Sequence, residues 1–129
     1  MMQPDALRKY RETEVMTSSP QKLVILLYEE AIKCLDLAIL KIKTGETGEG
    51  TKLLLKTQKI VAELIYSLNM DAGEISLRLY TLYEYIYRRL IEANMRKDCQ
   101  IIEEVLSLLK PLKEAWIKAV EVIKDEGHN

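Results

Sequence analysis

Glycine and proline constrain this chain more than any other feature. Glycine falls only at 45, 48, 50, 73 and 127, and proline only at 4, 20 and 111. The long stretches between them repeat apolar residues at spacings of three and four, and none alternates with period two over a useful length. The pattern predicts helices and no sheet. Ser19-Pro20 announces the first helix, with serine as cap and proline at the first helical position. That helix is expected to reach about Lys43, where the glycines of T-G-E-T-G-E-G (44–50) supply a stop. A second helix should cover about Thr51 to Leu68. A third should run from Gly73 or Glu74 to Asn94, with Asp71 as its cap. The fourth follows Asp98 and extends to about Lys124, with Pro111 inside it expected to remove a hydrogen bond and kink it. Four helices with short links make an all-α, antiparallel four-helix bundle over residues 18–126. An irregular arm, residues 1–17, precedes it, and at 129 residues the chain is one domain with a real core.

Helical spacing picks out the core. Helix one offers Val24, Leu27, Tyr28, Ala31, Leu35, Ala38 and Ile42, and helix two Leu53, Leu54, Ile60, Val61, Leu64, Ile65 and Leu68. Helix three offers Ile75, Leu79, Leu82, Tyr83, Ile86, Leu90 and Ala93. Helix four offers Ile101, Ile102, Val105, Leu108, Leu109, Leu112, Trp116, Ala119, Val120 and Ile123, and its outer positions are polar.

Apolar residues are left over once this core is assigned. On helix one Leu26, Leu37 and Leu40 point away from Val24 and Leu35. On helix two Leu55, Ala62 and Tyr66 form a stripe away from Val61 and Leu64. On helix three Leu77, Tyr80, Tyr87, Ile91 and Met95 step along a flank beside the core. Stripes on consecutive helices suit a partner helix, and equally suit a wider core with weak self-association.

The residues offer little to catalysis, metals or nucleic acid. The lone His128 stands in a terminal E-G-H-N, and no E-x-x-H motif exists to build a metal centre in a bundle. Glu29-Glu30 and Glu103-Glu104 are adjacent pairs, about 100° apart on a helix, and so are not aimed at one substrate. The 44–50 glycines lack the Lys-Ser/Thr ending of a phosphate loop. A formal net charge of -1, with Lys56, Lys59, Arg88 and Arg89 balanced by acids, gives no stripe for nucleic acid. The apolar run Leu23–Leu27 is far too short to enter a bilayer as a span, and the charged start has no signal-peptide h-region. Cys34 and Cys99 have neither CxxC nor zinc-type spacing. Reduced, buried or half-buried thiols are expected, with a disulfide between them the alternative.

Longer strings carry a resemblance. Tyr10 in the arm, S-P-Q-K-L-V-I-L-L-Y-E-E-A from Ser19-Pro20 onward, the stretch from Ile60 to Asn94, and E-V-L-S-L-L-K-P-L-K-E-A-W (104–116) together resemble the FliS family of flagellin export chaperones. Glu29-Glu30 stand where that family often has Asp-Gly, and Ser76 where alanine is common. The resemblance covers nearly the whole chain. It implies a cytoplasmic bundle, not an enzyme and without cofactor, that binds the disordered C-terminal segment of flagellin. Such a chaperone prevents premature polymerisation and presents its cargo to the flagellar type III export gate. The stripe residues Leu55, Ala62, Tyr66, Leu77, Tyr80, Tyr87 and Ile91 would then be client surface. The arm around Leu7 and Tyr10 would lie over part of it. The competing reading is a structural or regulatory bundle that self-associates.

Overall fold

Proline opens the first described helix. The computed structural model describes residues 20–127, with side chains placed as far as Val122, and α1 runs Pro20–Lys43. Pro20 has no N–H to leave unpaired in the first turn, and its φ is already helical. The arm, the Ser19 cap, His128 and the side chain of Ile123 lie outside what is described.

A Schellman turn ends α1. The Glu46 N–H donates to Lys41 O at 2.7 Å and the Gly45 N–H to Ile42 O at 3.1 Å. Gly45 sits at φ +86°, a left-handed position that glycine takes without a Cβ clash. Only this glycine acts as a stop. α2 spans Thr47–Tyr66, so it begins before the expected Thr51 and absorbs Gly48 and Gly50. Gly50 is buried, and a Cβ there would stand 2.8 Å from Ile42 Cγ1. Its missing side chain lets α2 close upon α1.

A 3-10 turn, Met70–Ala72, leads to α3, Glu74–Arg96. Asp71 does not cap α3, contrary to expectation. Asn69 Oδ1 instead accepts from the Asp71 N–H at 3.0 Å, and Gly73, at φ +96°, holds the cap position without a side-chain bond. α3 continues to Arg96 rather than Asn94 and closes on Lys97 at φ 50°. The Lys97 ammonium donates to Asn94 O and Oδ1 at 2.6 and 2.8 Å. α4 covers Cys99–Gly127, past the expected Lys124. Asp98 Oδ1 receives the Gln100 N–H at 2.9 Å, satisfying one of the first-turn donors. The helix runs through Pro111 without a break.

Each helix packs on the next and α4 returns to α1, so the fold is an all-α four-helix bundle. Its centre is Tyr28, Leu35, Leu54, Ile60, Leu64, Tyr83, Ile86, Leu90, Ile102 and Leu109, all buried. Ile32, Cys34, Thr57 and Leu106 are buried as well, although the stripes did not include them. Two core assignments are wrong: Ile75 is 72% exposed, and Ala119 is exposed. Both face inward by helical angle. They lie in the first turn of α3 and the distal part of α4, where none of the described helices buries them. Cys34 is buried, Cys99 is half-buried, and both are free thiols.

Candidate functional site

Polar ties fix how the helices face one another, and so which sides they turn outward. Tyr28 on α1 and Tyr83 on α3 meet in the core, hydroxyl to hydroxyl, with ring centroids 6.4 Å apart and planes tilted by 54°. The tilt is a favourable aromatic arrangement, and the shared bond satisfies groups that burial strips of water. Burial pushes both phenols above the usual tyrosine range. Between α1 and α2, Lys56 Nζ stands 2.8 Å from Glu30 Oε2. The Cys34 thiol donates to the same carboxylate at 3.8 Å, and burial pushes it up to about 11. It is therefore a protonated, unreactive thiol at neutral pH. Between α3 and α4, Glu104 accepts from the Tyr85 hydroxyl and from Arg89 Nε at 2.9 Å, and these bonds hold its carboxyl below the usual range.

The fold turns the surplus stripes toward solvent. On α2, Tyr66 is 88% and Leu55 45% exposed, and Ala62 between them is half-buried. On α3, Leu77, Tyr80, Ile91 and Met95 are exposed. Tyr87 differs: it is half-buried and packs against the core. On α1, Leu37 and Leu40 are exposed, whereas Leu26 is half-buried. α2 and α3 pack directly together.

Surface grooves lie along α1 rather than between those stripes. One, of about 450 Å³, is lined by Pro20, Leu23, Val24, Leu27, Glu63, Tyr66 and Ser67. It links the Tyr66 end of the α2 stripe to the start of α1. Another, of about 530 Å³, is lined by Glu29, Ile32, Lys33, Asp36, Leu37, Leu40 and Lys113. A third, of about 330 Å³, lies between Asp36 and Ile39 of α1 and Glu103, Leu106, Ser107 and Lys110 of α4. Sequence reading missed Met70 and Val122, both about half exposed. Met70 sits in a link, where helical periodicity carries no signal, and Val122 lies one turn beyond Lys118 on the side of α4 expected to be polar. Among the described residues no cluster of histidine, cysteine, aspartate or glutamate could hold a metal ion, and no helix is long and apolar enough to cross a membrane.

A small helical bundle with apolar side chains left outward is the build of a binding scaffold. Comparison with known proteins says which kind. The sequence model of the family described as "Flagellar protein FliS" matches residues 2–122. The chain belongs to the FliS family. It is 38% identical over 107 residues to the flagellar secretion chaperone FliS of Salmonella typhimurium, covering 81% of this chain and 79% of that one. It is 30% identical over 119 residues to the protein of the same name from Bacillus subtilis, covering 92% and 89%. A solved structure described as a flagellar chaperone from bacteria superposes with a TM-score of 0.76 at 27% identity, covering 92% of this chain and 98% of that one.

Proposed function

We propose that this protein is a cytoplasmic export chaperone that binds the disordered C-terminal segment of flagellin. It keeps that segment from polymerising early and supports its delivery to the flagellar type III export apparatus. The observation that carries the reading is the outward apolar stripe of α2, with Leu55 and Tyr66 left uncovered, together with the exposed Leu77, Tyr80 and Ile91 of the next helix, α3. Apolar area of this kind on a chain of the FliS family is the surface an amphipathic helix would bury. Ala62 and Tyr87, only half exposed, would form the floor on which the larger side chains stand.

The energetics suit a releasable complex. Burying some six large side chains at about 1.5–3 kcal/mol each is a gross gain on the order of 10 kcal/mol. Ordering the client removes about 2–5 kcal/mol, and lost translational freedom removes more.

The arm, with Leu7 and Tyr10, would shield part of this surface in the empty protein. The groove that starts at Pro20, where the arm joins, and ends at Tyr66 supports that role. One titration tests both ideas. A flagellin C-terminal peptide should bind one to one with release of heat and gain of helix by circular dichroism, and more tightly once residues 1–16 are deleted. Absence of heat and helix gain at tens of micromolar would overturn the chaperone reading. Unchanged affinity after the deletion would overturn the shielding role alone. The exposed Leu37 and Leu40 on α1 favour a second reading, self-association. Size-exclusion chromatography with and without the peptide separates a dimer from a client complex.

A further inference from the structure

Burial along α4 changes abruptly at one residue. Before Pro111 the helix buries Ile101, Ile102, Val105, Leu106 and Leu109. After it, none of the described side chains is fully buried, and Leu112, Trp116, Ile117 and Val120 are only half-covered. Pro111 lacks the N–H that would reach the Ser107 carbonyl, so the hydrogen-bond ladder is interrupted at the same place. Proline is also well suited to begin a helix, which lets the distal half keep its own helical structure if it separates.

One side chain ties this half down. Trp116, the only tryptophan, packs against the buried cluster. We propose that α4 from Pro111 to Val122 is a strap, anchored by the packing of Trp116 against that cluster, which opens as a unit while the rest of the bundle stays folded. Opening would uncover the part of the cluster against which Trp116 packs. The bundle then has two states differing in one helix half. Local opening of this kind follows the distribution of buried contacts, and here they end at Pro111. The proposal is independent of the flagellin reading, because it concerns the chain alone.

Native-state hydrogen exchange on the full chain, followed by mass spectrometry across a urea series, tests it. Amides of 112–122 should exchange at least about tenfold faster than those of 103–110, and should share one urea dependence, as a cooperative unit does. Trp116→Ala removes the ring that packs on the cluster, and should speed exchange in the distal half by about a further fivefold to tenfold while leaving 103–110 unchanged. Pro111→Ala restores the missing donor and should slow the distal half. Equal protection in both halves would overturn the strap, as would a smooth rise in exchange toward the C-terminus without urea dependence, which is simple fraying. Equal acceleration of both halves by Trp116→Ala would overturn the anchor.

Discussion

Leu64 and Tyr66 stand two residues apart on α2, and their surroundings are opposite: 0% and 88% exposed. The half-turn of helix between them decides what each can do. Leu64→Ala removes methyl groups from a closed layer and should cost about 2–5 kcal/mol in a urea melt. Tyr66→Asp should move the same melt by no more than about 0.5 kcal/mol, since it buries no charge in the free protein. It should nonetheless weaken binding of the flagellin peptide sharply, because a carboxylate would be trapped under an apolar helix. An early melt for Tyr66→Asp would assign the ring to the fold, and normal peptide binding would move the client surface to Leu77, Tyr80 and Ile91. At this scale the sequence was most legible. Leu35, Leu64, Ile86 and Leu109 follow from spacing alone, as do the exposed Leu55 and Tyr66. Ile75 and Ala119 did not, because helical angle says which way a residue faces and not whether anything lies there.

Whole helices were read from their punctuation, and the errors lie where punctuation had a second meaning. Three glycines in 44–50 look like one long stop, but the Schellman turn needs only Gly45. Gly48 and Gly50 are helical for different reasons. Nothing lies within 4 Å of a Cβ built on Gly48, whereas one on Gly50 would meet Ile42 Cγ1 at 2.8 Å. Gly48→Ala should therefore stabilise the protein by about 0.5–1 kcal/mol through the lower entropy of the unfolded chain. Gly50→Ala gains the same propensity and loses it to the clash, so its urea midpoint should match or fall below wild type. A larger gain at Gly50 than at Gly48 would mean that α1 and α2 do not meet as closely as the backbone indicates. The close approach belongs to tertiary packing, and no local pattern could have announced it. The Asp71 cap failed for a similar reason: Asp71 donates its N–H to Asn69 within a 3-10 turn that occupies the residues before α3.

Across the whole molecule the polar ties are set between different pairs of helices: Glu30–Lys56 joins α1 to α2, Tyr28–Tyr83 joins α1 to α3, and Glu104 joins α4 to α3 through Arg89 and Tyr85. Apolar packing in a bundle tolerates sliding and rotation, so ties of this sort hold the register that turns Leu55 and Tyr66 outward. Their partners are far apart in the sequence, and spacing could not reveal them. They also give the fold a pH dependence. Hydrogen bonds from Tyr85 and Arg89 hold the Glu104 carboxyl below its ordinary value of 4.5 in the folded protein. The unfolded chain thus takes up a proton first as pH falls. The stabilisation is complete above the ordinary carboxylate range and is lost as pH drops through the depressed folded value. Because the group is largely solvated, the effect is modest and weakens with salt. Glu104→Gln removes the titration and keeps an acceptor for Tyr85. Thermal melts from neutral pH to about pH 3 should show the variant slightly less stable at neutrality and shallower in its acid limb. Parallel acid limbs for the two proteins would show that the α3–α4 register rests on apolar contacts alone, with Glu104 as a bystander on the surface.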